Sequence, residues 1–352
     1  MWTTRRRRLD GRRLDGRRFD GRRFDGRTRS LTAGIAVGLS VLLLTTACGD
    51  STPDDPNTLT VIISTPKSMV YMGAQEGEKL GVWDESGVEV EVIEGSNTSA
   101  QQALASGDAD IALQQGYTAI SNGVQGGSTT ILGATQLGQG QYILVGADAP
   151  YHKPEDFKTD KPTFGVTSLT SQGYLHTTTV LAALGMSEDD YEIVTLGGIQ
   201  EMLAALESGI IDGLFWSAGQ SFTAEEQGIG RVIGNSIDYL PPDVATVINV
   251  QNEAIERRPA QVKAFMTGYY KAVRMLQDDP SLAQGFLEDY KYSRGVAEKT
   301  VRAELSSFET TGKIPEENLQ GAINDAKRLV KSFPKDFTVQ SAPYTYWADA
   351  LG

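Results

Sequence analysis

Short apolar runs alternate with longer amphipathic stretches along the chain. Residues 59–64, 111–113 and 163–167 have the length and composition of buried strands. Residues 88–93 and 191–196 alternate between apolar and polar side chains, as half-buried strands do. Helical stretches that end at glycine lie between these runs. Strands that alternate with helices predict mostly parallel sheets that are covered by helices.

A part of the chain repeats itself at an offset of 102 residues. Residues 103–110 and 205–212 share the pattern Ala-Leu-x-Ser-Gly-x-x-Asp, and the strands and helices around them match in order. The order strand, loop, helix, strand, loop, helix, strand therefore occurs twice. This repetition predicts two α/β lobes of similar architecture.

Two further apolar runs are suited to connect the lobes. Residues 142–146 are predicted to cross into the second lobe, and residues 244–250 are predicted to return from it. Lobe one is then 58–143 plus 245–352, and lobe two is 144–244. The carboxyl-terminal third is predicted to be helical, with Pro259 at the start of a helix.

The first 57 residues have a different character from the rest. Residues 1–47 hold 12 arginines, in a five-residue repeat, and then an uncharged apolar run of 14 residues. That run is shorter than the roughly 20 residues of a membrane-spanning helix. A basic stretch, a short apolar stretch and a small-residue site are typical of a secretory signal.

The small-residue site, Thr-Thr-Ala-Cys-Gly, resembles a bacterial lipobox, with Cys48 as the lipid-carrying residue. Residues 48–57 are polar, contain two prolines and are predicted to be a flexible tether. An alternative for Cys48 is a buried structural cysteine behind an uncleaved anchor. An alternative for the arginines is binding to nucleic acid.

Charge and rare residues narrow the choice of function. The net charge is −13; without the 12 arginines and four aspartates of residues 1–47, 20 of the 32 basic and 41 of the 45 acidic residues remain. A body that carries about −21 repels nucleic acid and anionic membranes. One cysteine cannot form an internal disulfide, and two histidines make a zinc site improbable. We therefore predict no metal, no cofactor and no catalytic residues.

Ligand contacts are expected beyond the carboxyl ends of the strands, where helix amino termini present unpaired N–H groups. Such termini can hold an anion without a lysine. The loops in this position supply hydroxyl, amide and aromatic side chains. The predicted ligand-binding residues are Ser64, Thr65, Lys67, Tyr71, Thr98, Gln114, Gln115, Ser168, Thr170, Ser171, Gln172 and Trp216.

Several of the hydroxyl residues also have a purely structural interpretation. Thr98 or Ser99 can cap the helix that follows the second strand. Ser168 and Ser171 can do the same in the second lobe. A helix cap stabilises a helix by about 1 kcal/mol, and capping and ligand contact can coexist.

The remaining candidates differ in how clearly the sequence indicates a ligand contact. Gln114 and Gln115 are the sharpest candidates, because two amides directly follow an apolar strand. Lys67 is either a counter-charge for an anionic ligand or a solvated surface residue. Trp216 either stacks on a ligand or packs in the core. His176 is expected on a helix surface.

Segments with known relatives occur in order along the body of the chain. They are Gly-Ala-Gln-Glu-Gly at 73–77, Lys-Pro-Glu-Asp-Phe at 153–157, Phe-Gly-Val-Thr-Ser at 164–168, and the segments 102–112 and 196–213. In these segments the chain resembles the solute-binding proteins of ABC importers for nitrate, sulfonates, taurine and the pyrimidine precursor of thiamine. The resemblance covers about residues 58–275.

The resemblance implies a two-lobed periplasmic-binding-protein-like fold of type II, which closes about two hinge crossings. It places family ligand positions on 64–67, Thr98, Gln114 and 168–172. The match is partial at 157–161, where Phe-Lys-Thr-Asp-Lys stands in place of the family's Leu-Lys-Gly-Lys run.

The resemblance implies a receptor that captures a small organic or anionic nutrient, and the lipobox-like site predicts that this receptor is extracytoplasmic and lipid-anchored. Its expected partners are the ligand, the permease and ATPase subunits of an ABC importer, and the membrane through the lipid. The chain is expected to be a monomer that binds no nucleic acid. Two alternatives remain: an enzyme of thiamine-precursor synthesis on the same fold, and a binding or sensor lipoprotein without a transporter.

Overall fold

Ten β-strands form in residues 57–352, the part of the chain that this computed structural model describes. They are β1 (Thr58–Ile63), β2 (Glu89–Glu94), β3 (Ile111–Gln115), β4 (Thr129–Leu137), β5 (Tyr142–Gly146), β6 (Thr163–Val166), β7 (Glu192–Thr195), β8 (Gly213–Trp216), β9 (Gly230–Asn235) and β10 (Val244–Gln251). The predicted signal at 1–47, Cys48 and the tether as far as residue 56 lie outside the described residues.

Thirteen α-helices occupy the same described range. They are α1 (Met72–Gln75), α2 (Val82–Ser86), α3 (Asn97–Ser106), α4 (Gly116–Val124), α5 (Gln172–Ala183), α6 (Ile199–Glu207), α7 (Ala218–Glu226), α8 (Asn252–Arg257), α9 (Pro259–Asp278), α10 (Pro280–Asp289), α11 (Arg294–Glu304), α12 (Glu316–Leu329) and α13 (Trp347–Ala350). None of the helices in residues 57–352 combines the length and the apolar character that a membrane span needs.

The first sheet has the strand order β2-β1-β3-β10-β4. β1 runs parallel to both of its neighbours, and Val61 lies opposite Val92 on one side and Ile111 on the other. β10 runs antiparallel to β3 and to β4. Val61 and Ile63 are fully buried, because β1 has sheet on both sides and helices on both faces.

The second sheet repeats this arrangement with the strand order β7-β6-β8-β5-β9. β6 is parallel to β7 and β8, and β5 is antiparallel to β8 and β9. β5 belongs to this sheet from Tyr142 onward, two residues before the boundary that the sequence suggested, and β10 joins the first sheet from Val244. The predicted two-lobed α/β fold class is confirmed.

One detail of that prediction is corrected: each sheet is mixed rather than mostly parallel. Two ladders of each sheet are parallel and two are antiparallel. The reason lies in the two connections, residues 138–141 and 236–243. Each connection brings a strand into a sheet from the other sheet, and that strand (β5 or β10) enters in the reverse direction.

The aspartate of the repeated pattern performs the same structural task in both sheets. Asp110 accepts a hydrogen bond from the Thr60 N–H at 3.0 Å, and Asp212 accepts one from the Thr163 N–H at 2.8 Å. In each case the aspartate N–H also donates to the carbonyl of the same threonine. The repeat is therefore tied to β1 in the first sheet and to β6 in the second.

The longest helix, α9, packs on the first sheet as its apolar pattern predicts. Pro259 is at its first turn, and Val262, Phe265 and Tyr269 are buried in one cluster with β1 and β3. The Phe265 ring stacks on Trp83 of α2 with 5.3 Å between ring centroids. Each such side chain contributes about 1.5–3 kcal/mol by burial, so this face anchors the carboxyl-terminal helices to the first lobe.

Candidate ligand-binding site

Two of the predicted site residues meet between the lobes. Gln115 ends β3 of the first sheet, and Gln172 begins α5, which follows β6 of the second sheet. The Gln115 Nε2 donates to the Gln172 Oε1 at 2.7 Å. The Gln172 Nε2 donates in turn to the Oε1 of Gln139, in the first connection, at 3.3 Å. The carboxyl ends of strands from both sheets therefore face one cleft.

Gln114, which precedes Gln115 in β3, has an unusual buried side chain. Its side chain is fully buried, and neither its Nε2 nor its Oε1 has a hydrogen-bond partner within residues 57–352. It lies opposite Val247, which packs against Ala119 of α4, so the amide is on the α4 side of the sheet. An unpartnered buried amide costs about 1–3 kcal/mol. Such a group is suited to a ligand that supplies both a donor and an acceptor.

Beside Gln115, buried polar side chains continue across the first sheet. Thr246 of β10 lies opposite both Gln115 and Gln136 of β4. The Thr246 hydroxyl is 2.5 Å from that of Thr135, and the Gln136 Nε2 donates to Ser307 at 2.7 Å. Thr135, Gln136 and Thr246 are each at most 2% exposed. We call these three residues the polar floor.

Sequence reasoning missed the polar floor, although a signal was present. A Thr-Gln pair at 135–136 interrupts the apolar strand β4, and Thr246 lies within Val-Ala-Thr-Val of β10. Polar residues inside buried strands need partners. Thr135 and Thr246 partner each other, whereas Gln136 bonds to Ser307 through its Nε2 and its Oε1 has no partner within residues 57–352.

Ser64 and Tyr71 extend this buried polar region toward β1. The two hydroxyls are 2.8 Å apart, and both side chains are buried. Burial raises the pKa of Tyr71, so its phenol stays protonated and can donate a hydrogen bond. Tyr269 of α9 is buried next to them and its pKa is raised for the same reason.

The rest of the loop after β1 faces outward. Thr65 and Lys67 are exposed. Lys67 has a left-handed backbone (φ 56°), and its N–H donates to the Gln75 side chain at 2.8 Å. The Gln75 Nε2 donates to the Ser68 carbonyl at 3.0 Å. The loop is thus held by Gln75, while the Lys67 side chain is exposed.

The cap of α3 differs from the prediction. Ser96, and not Thr98 or Ser99, is the capping residue, because its backbone is extended and its Oγ accepts from the Ser99 N–H at 3.2 Å. Ser99 returns the contact, since its Oγ accepts from the Ser96 N–H at 2.7 Å. This reciprocal pair is a capping box. Thr98 is exposed and is not needed as a cap.

In the second lobe, Ser171 caps α5 as predicted. Its Oγ accepts from the Tyr174 N–H at 3.2 Å and donates to the Ser168 carbonyl at 2.8 Å. Ser168 is not a helix cap; its hydroxyl is 3.3 Å from that of Thr170. Ser168 and Thr170 are exposed beside Gln172.

Trp216 shows the packing role, one of the two that its position suggested. It ends β8 and is half-buried against the apolar cluster that contains Leu144 and Leu214. It lies opposite Tyr142, the first residue of β5. The Tyr142 ring makes an edge contact with Phe222 of α7, with centroids 4.8 Å apart. Aromatic side chains therefore gather where β8 ends and β5 begins.

His176 is buried in the structure, so its expected place on a helix surface is wrong. Its Nδ1 is 2.9 Å from the Oγ of Ser236, which also accepts from the Gln141 N–H at 2.7 Å. Ser236 and Gln141 belong to the two connections between the sheets. Burial lowers the pKa of His176 to about 3, and the charge of Arg328 adds to this effect. A neutral imidazole thus ties α5 to both connections.

Two hollows of the described surface lie away from these residues. One, of about 270 Å³, is between α6 and α7, and the other, of about 570 Å³, is between α10 and α11. No predicted site residue lines either hollow. Within residues 57–352, no group of three His, Cys, Asp or Glu side chains is placed to hold a metal ion.

Two mixed sheets, joined by two connections and facing one polar cleft, define a two-lobed periplasmic-binding-protein-like fold. A family model described as "NMT1/THI5 like" matches residues 69–283. The chain belongs to the NMT1/THI5-like family, and the resemblance found in the sequence is confirmed. No match was found among the curated proteins.

Solved structures share the fold at low sequence identity. The ligand-binding component of an ABC-type import system from Staphylococcus aureus, with zinc bound, is 16% identical with a TM-score of 0.68, covering 84% of this chain and 99% of that one. The periplasmic aliphatic sulphonate-binding protein of Escherichia coli is 16% identical with a TM-score of 0.65, covering 82% and 92%. The desulfurization enzyme DSZB is 17% identical with a TM-score of 0.60, covering 83% and 98%.

Proposed function

We propose that the chain is an extracytoplasmic solute-binding protein that captures a small molecule between its lobes and delivers it to an ABC importer. The permease and ATPase subunits of that importer are the proposed partners. The buried, unpartnered amide of Gln114, beside a glutamine bridge between the lobes, is the observation that carries the proposal.

The cleft chemistry supports capture by hydrogen bonds. Gln114, Gln115 and Gln172 offer amide donors and acceptors, and the polar floor offers hydroxyls next to Gln115. A ligand that replaces the Gln115–Gln172 hydrogen bond touches both lobes at once. Contacts from both lobes favour the closed arrangement over the open one, which is how such receptors signal occupancy. Micromolar affinity needs about −8 kcal/mol.

The ligand class is a small polar organic or anionic nutrient. Similar folds are described as binding aliphatic sulphonates in one case and as an importer's ligand-binding component in another. For this chain, the twelve residues predicted from the sequence, together with the polar floor, are the proposed ligand shell. Thr65, Lys67, Ser168 and Thr170 would contact the ligand from exposed loops at the cleft entrance.

The proposed location is the outer face of the cell membrane, with lipid on Cys48 as the anchor and the protein as a monomer. Two or more acyl chains hold a protein stably at a bilayer. Palmitate labelling of cells that produce the full chain tests this proposal. We expect label in the wild type and none in Cys48→Ser, which should leave the cells as a soluble protein. Label that persists in Cys48→Ser contradicts the anchor.

We also propose that binding occurs without catalysis. A desulfurization enzyme has the same fold, so this part of the proposal needs its own measurement. The ligand retained by the purified protein, once identified, should be recovered unchanged after long incubation with fresh protein. A product that accumulates in proportion to protein concentration would favour the enzyme alternative.

The central test is native mass spectrometry of gently purified protein, which should reveal a bound small molecule. Gln172→Ala removes the second-lobe partner of Gln115 and should weaken binding of that molecule by about tenfold, the equivalent of about 1.4 kcal/mol. Gln102→Ala, an exposed glutamine of α3, is the matched control and should bind normally. Protein that retains nothing, and whose melting temperature no sulfonate, nitrate or pyrimidine raises, refutes the proposed function.

A further inference from the structure

A carboxylate occupies the amino terminus of α7 at the cleft. The Ala218 N–H donates to the Glu304 Oε1 at 3.3 Å. Ser217, which precedes the helix, makes no side-chain capping bond. Glu304 is remote in sequence, at the end of α11, and takes the place of the missing cap. The equivalent helix of the first sheet, α4, also lacks a side-chain cap, and no carboxylate of the described chain caps it.

Glu304 belongs to a segment that runs beside the polar floor. The Glu304 carbonyl accepts from the Ser307 hydroxyl at 2.6 Å, and Ser307 accepts from Gln136 at 2.7 Å. The Glu309 N–H donates to the Thr135 carbonyl at 2.9 Å. The segment therefore follows the edge of the first sheet, while the Glu304 carboxylate reaches α7 of the second lobe at the strand ends that face the cleft.

The surroundings of Glu304 leave its charge uncompensated. No Lys, Arg or His of residues 57–352 lies within ion-pair distance of it. Lys299, on the same helix, pairs with Glu225. Burial raises the pKa of Glu304 to about 7, although the Ala218 N–H opposes the shift. Its negative charge in turn adds to the rise that burial causes in the pKa values of Tyr142 and Tyr292.

We infer that Glu304 is a specificity-determining residue of the cleft, which selects against anionic ligands and for neutral or cationic ones. It fills the helix terminus where an anion would bind, and it places a like charge beside any anion that enters between the lobes. The inference rests on the proposed function and narrows its ligand class. Gln114 and the glutamine bridge are left to recognise an uncharged polar group.

A matched pair of probes tests the inference: ethanesulfonate, an anion, and ethanesulfonamide, its neutral analogue of similar shape. Binding of both to the wild type and to Glu304→Gln is measured by thermal shift and calorimetry at pH 8. We expect the wild type to discriminate against ethanesulfonate, and the variant to bind ethanesulfonate at least about tenfold more tightly than the wild type. Glu298→Gln removes an exposed carboxylate from the same helix and should behave as the wild type.

Two results overturn the inference. One is a wild type that binds ethanesulfonate as tightly as it binds ethanesulfonamide. The other is a folded Glu304→Gln protein that gains no affinity for the anion. If that variant does not fold, Glu304→Asp keeps the charge and should still discriminate against the anion. The molecule that the native protein retains gives an independent check. If it is an anion, the inferred selectivity against anions is refuted while the proposed solute-binding function stands. If no molecule is retained, the result counts against the proposed function itself.

Discussion

Gln114 is a proposed ligand contact, and its buried amide should favour ligand binding rather than folding. Its buried amide has no partner in the described part of the chain, so methionine, which has a similar size and no amide, should relieve the cost. We predict that Gln114→Met raises the free energy of unfolding of the ligand-free protein by about 1 kcal/mol. The same change should lower ligand affinity by tenfold or more. Urea denaturation and calorimetry measure the two effects.

The interpretation requires that Gln114→Met raises the free energy of unfolding and lowers the ligand affinity. Gln102→Met, on the exposed side of α3, controls for the side-chain change itself and should alter neither quantity. A loss of stability of more than about 1 kcal/mol in Gln114→Met would mean that the amide is satisfied within the folded protein.

His176 should make the protein sensitive to acid. Its pKa is about 3 in the folded protein against an ordinary value of 6.5, so between these values the unfolded chain binds a proton that the folded chain does not. Stability contributed by the neutral imidazole is therefore complete above pH 6.5 and is lost as the pH falls toward 3. The slope contributed is at most about 1.4 kcal/mol per pH unit.

Comparison with His176→Asn isolates this contribution. Burial raises the pKa of Asp243 and of Glu304 to about 7 and that of Asp325 to about 6, and these carboxyls stabilise the fold as the pH falls. Their effect is common to both proteins and cancels in the difference. Urea unfolding between pH 4 and pH 7 should give a steeper loss in the wild type than in the variant. If the free energy of unfolding falls equally steeply with pH in both proteins, then a group other than His176 causes the acid sensitivity.

At the scale of single residues, the sequence indicated which polar side chains are present at the site, but it did not indicate their hydrogen-bond partners. It indicated the adjacent amides at 114–115, but it could not reveal that Gln114 is unpartnered while Gln115 meets Gln172. Gln114 and Gln115 differ because successive side chains of β3 point to opposite faces of the sheet, and because α5, which is distant in sequence, brings Gln172 to Gln115. The cap at Ser96 was missed because four hydroxyl or amide residues follow one another, and only the backbone angles decide among them.

At the scale of elements, the repeated aspartate has unequal surroundings in its two copies. The Asp110 carboxylate accepts from the Thr60 N–H and also pairs with Arg258, whereas the Asp212 carboxylate accepts from the Thr163 N–H and has no ion-pair partner within residues 57–352. We predict that Asp110→Ala destabilises the protein more than Asp212→Ala, by about 1 kcal/mol or more, because it also leaves the partly buried Arg258 guanidinium unpaired.

Urea denaturation of the two variants, with the double variant Asp110→Ala/Arg258→Met as control, measures the difference. The Arg258→Met change removes the guanidinium that Asp110→Ala leaves unpaired, so it should recover part of the lost stability. If Asp110→Ala and Asp212→Ala are equally unstable, then the Arg258 ion pair contributes nothing and the backbone hydrogen bond is the whole effect.

Most strands were predictable because an apolar run and a glycine-ended helix specify them locally. Gly107 and Gly209 close their helices with left-handed backbones (φ 86° and 70°), as the repeat indicated. The direction of β5 and β10 was harder to predict. A strand that enters a sheet from the other lobe has the same local pattern as one that follows a helix, and only the tertiary topology makes it antiparallel.

At the scale of the whole molecule, the two lobes are joined by contacts on several sides. The connections bond to each other through Gln141 and Ser236, and the Arg328 guanidinium of α12 donates to the hydroxyls of Thr178 and Thr179 on α5 at 3.2 and 2.7 Å. These contacts lie at the connected end of the sheets, whereas β2 and β7 are the edge strands farthest from it in strand order. Closure should therefore change distances most at β2 and β7.

Glu94 and Thr195, the exposed last residues of β2 and β7, are suitable positions for measuring closure. The single cysteine of the chain is Cys48, so a Cys48→Ser protein with Glu94→Cys and Thr195→Cys carries two unique labels. We predict that the retained ligand shortens the distance between the labels and that its removal lengthens it, as measured by electron–electron double resonance. Adding Gln172→Ala should shift the distribution toward long distances at the same ligand concentration, because the ligand then gains less from the second lobe. A distance that is the same with and without ligand would mean that the lobes do not move relative to each other, and capture would then have to occur in a preformed cleft.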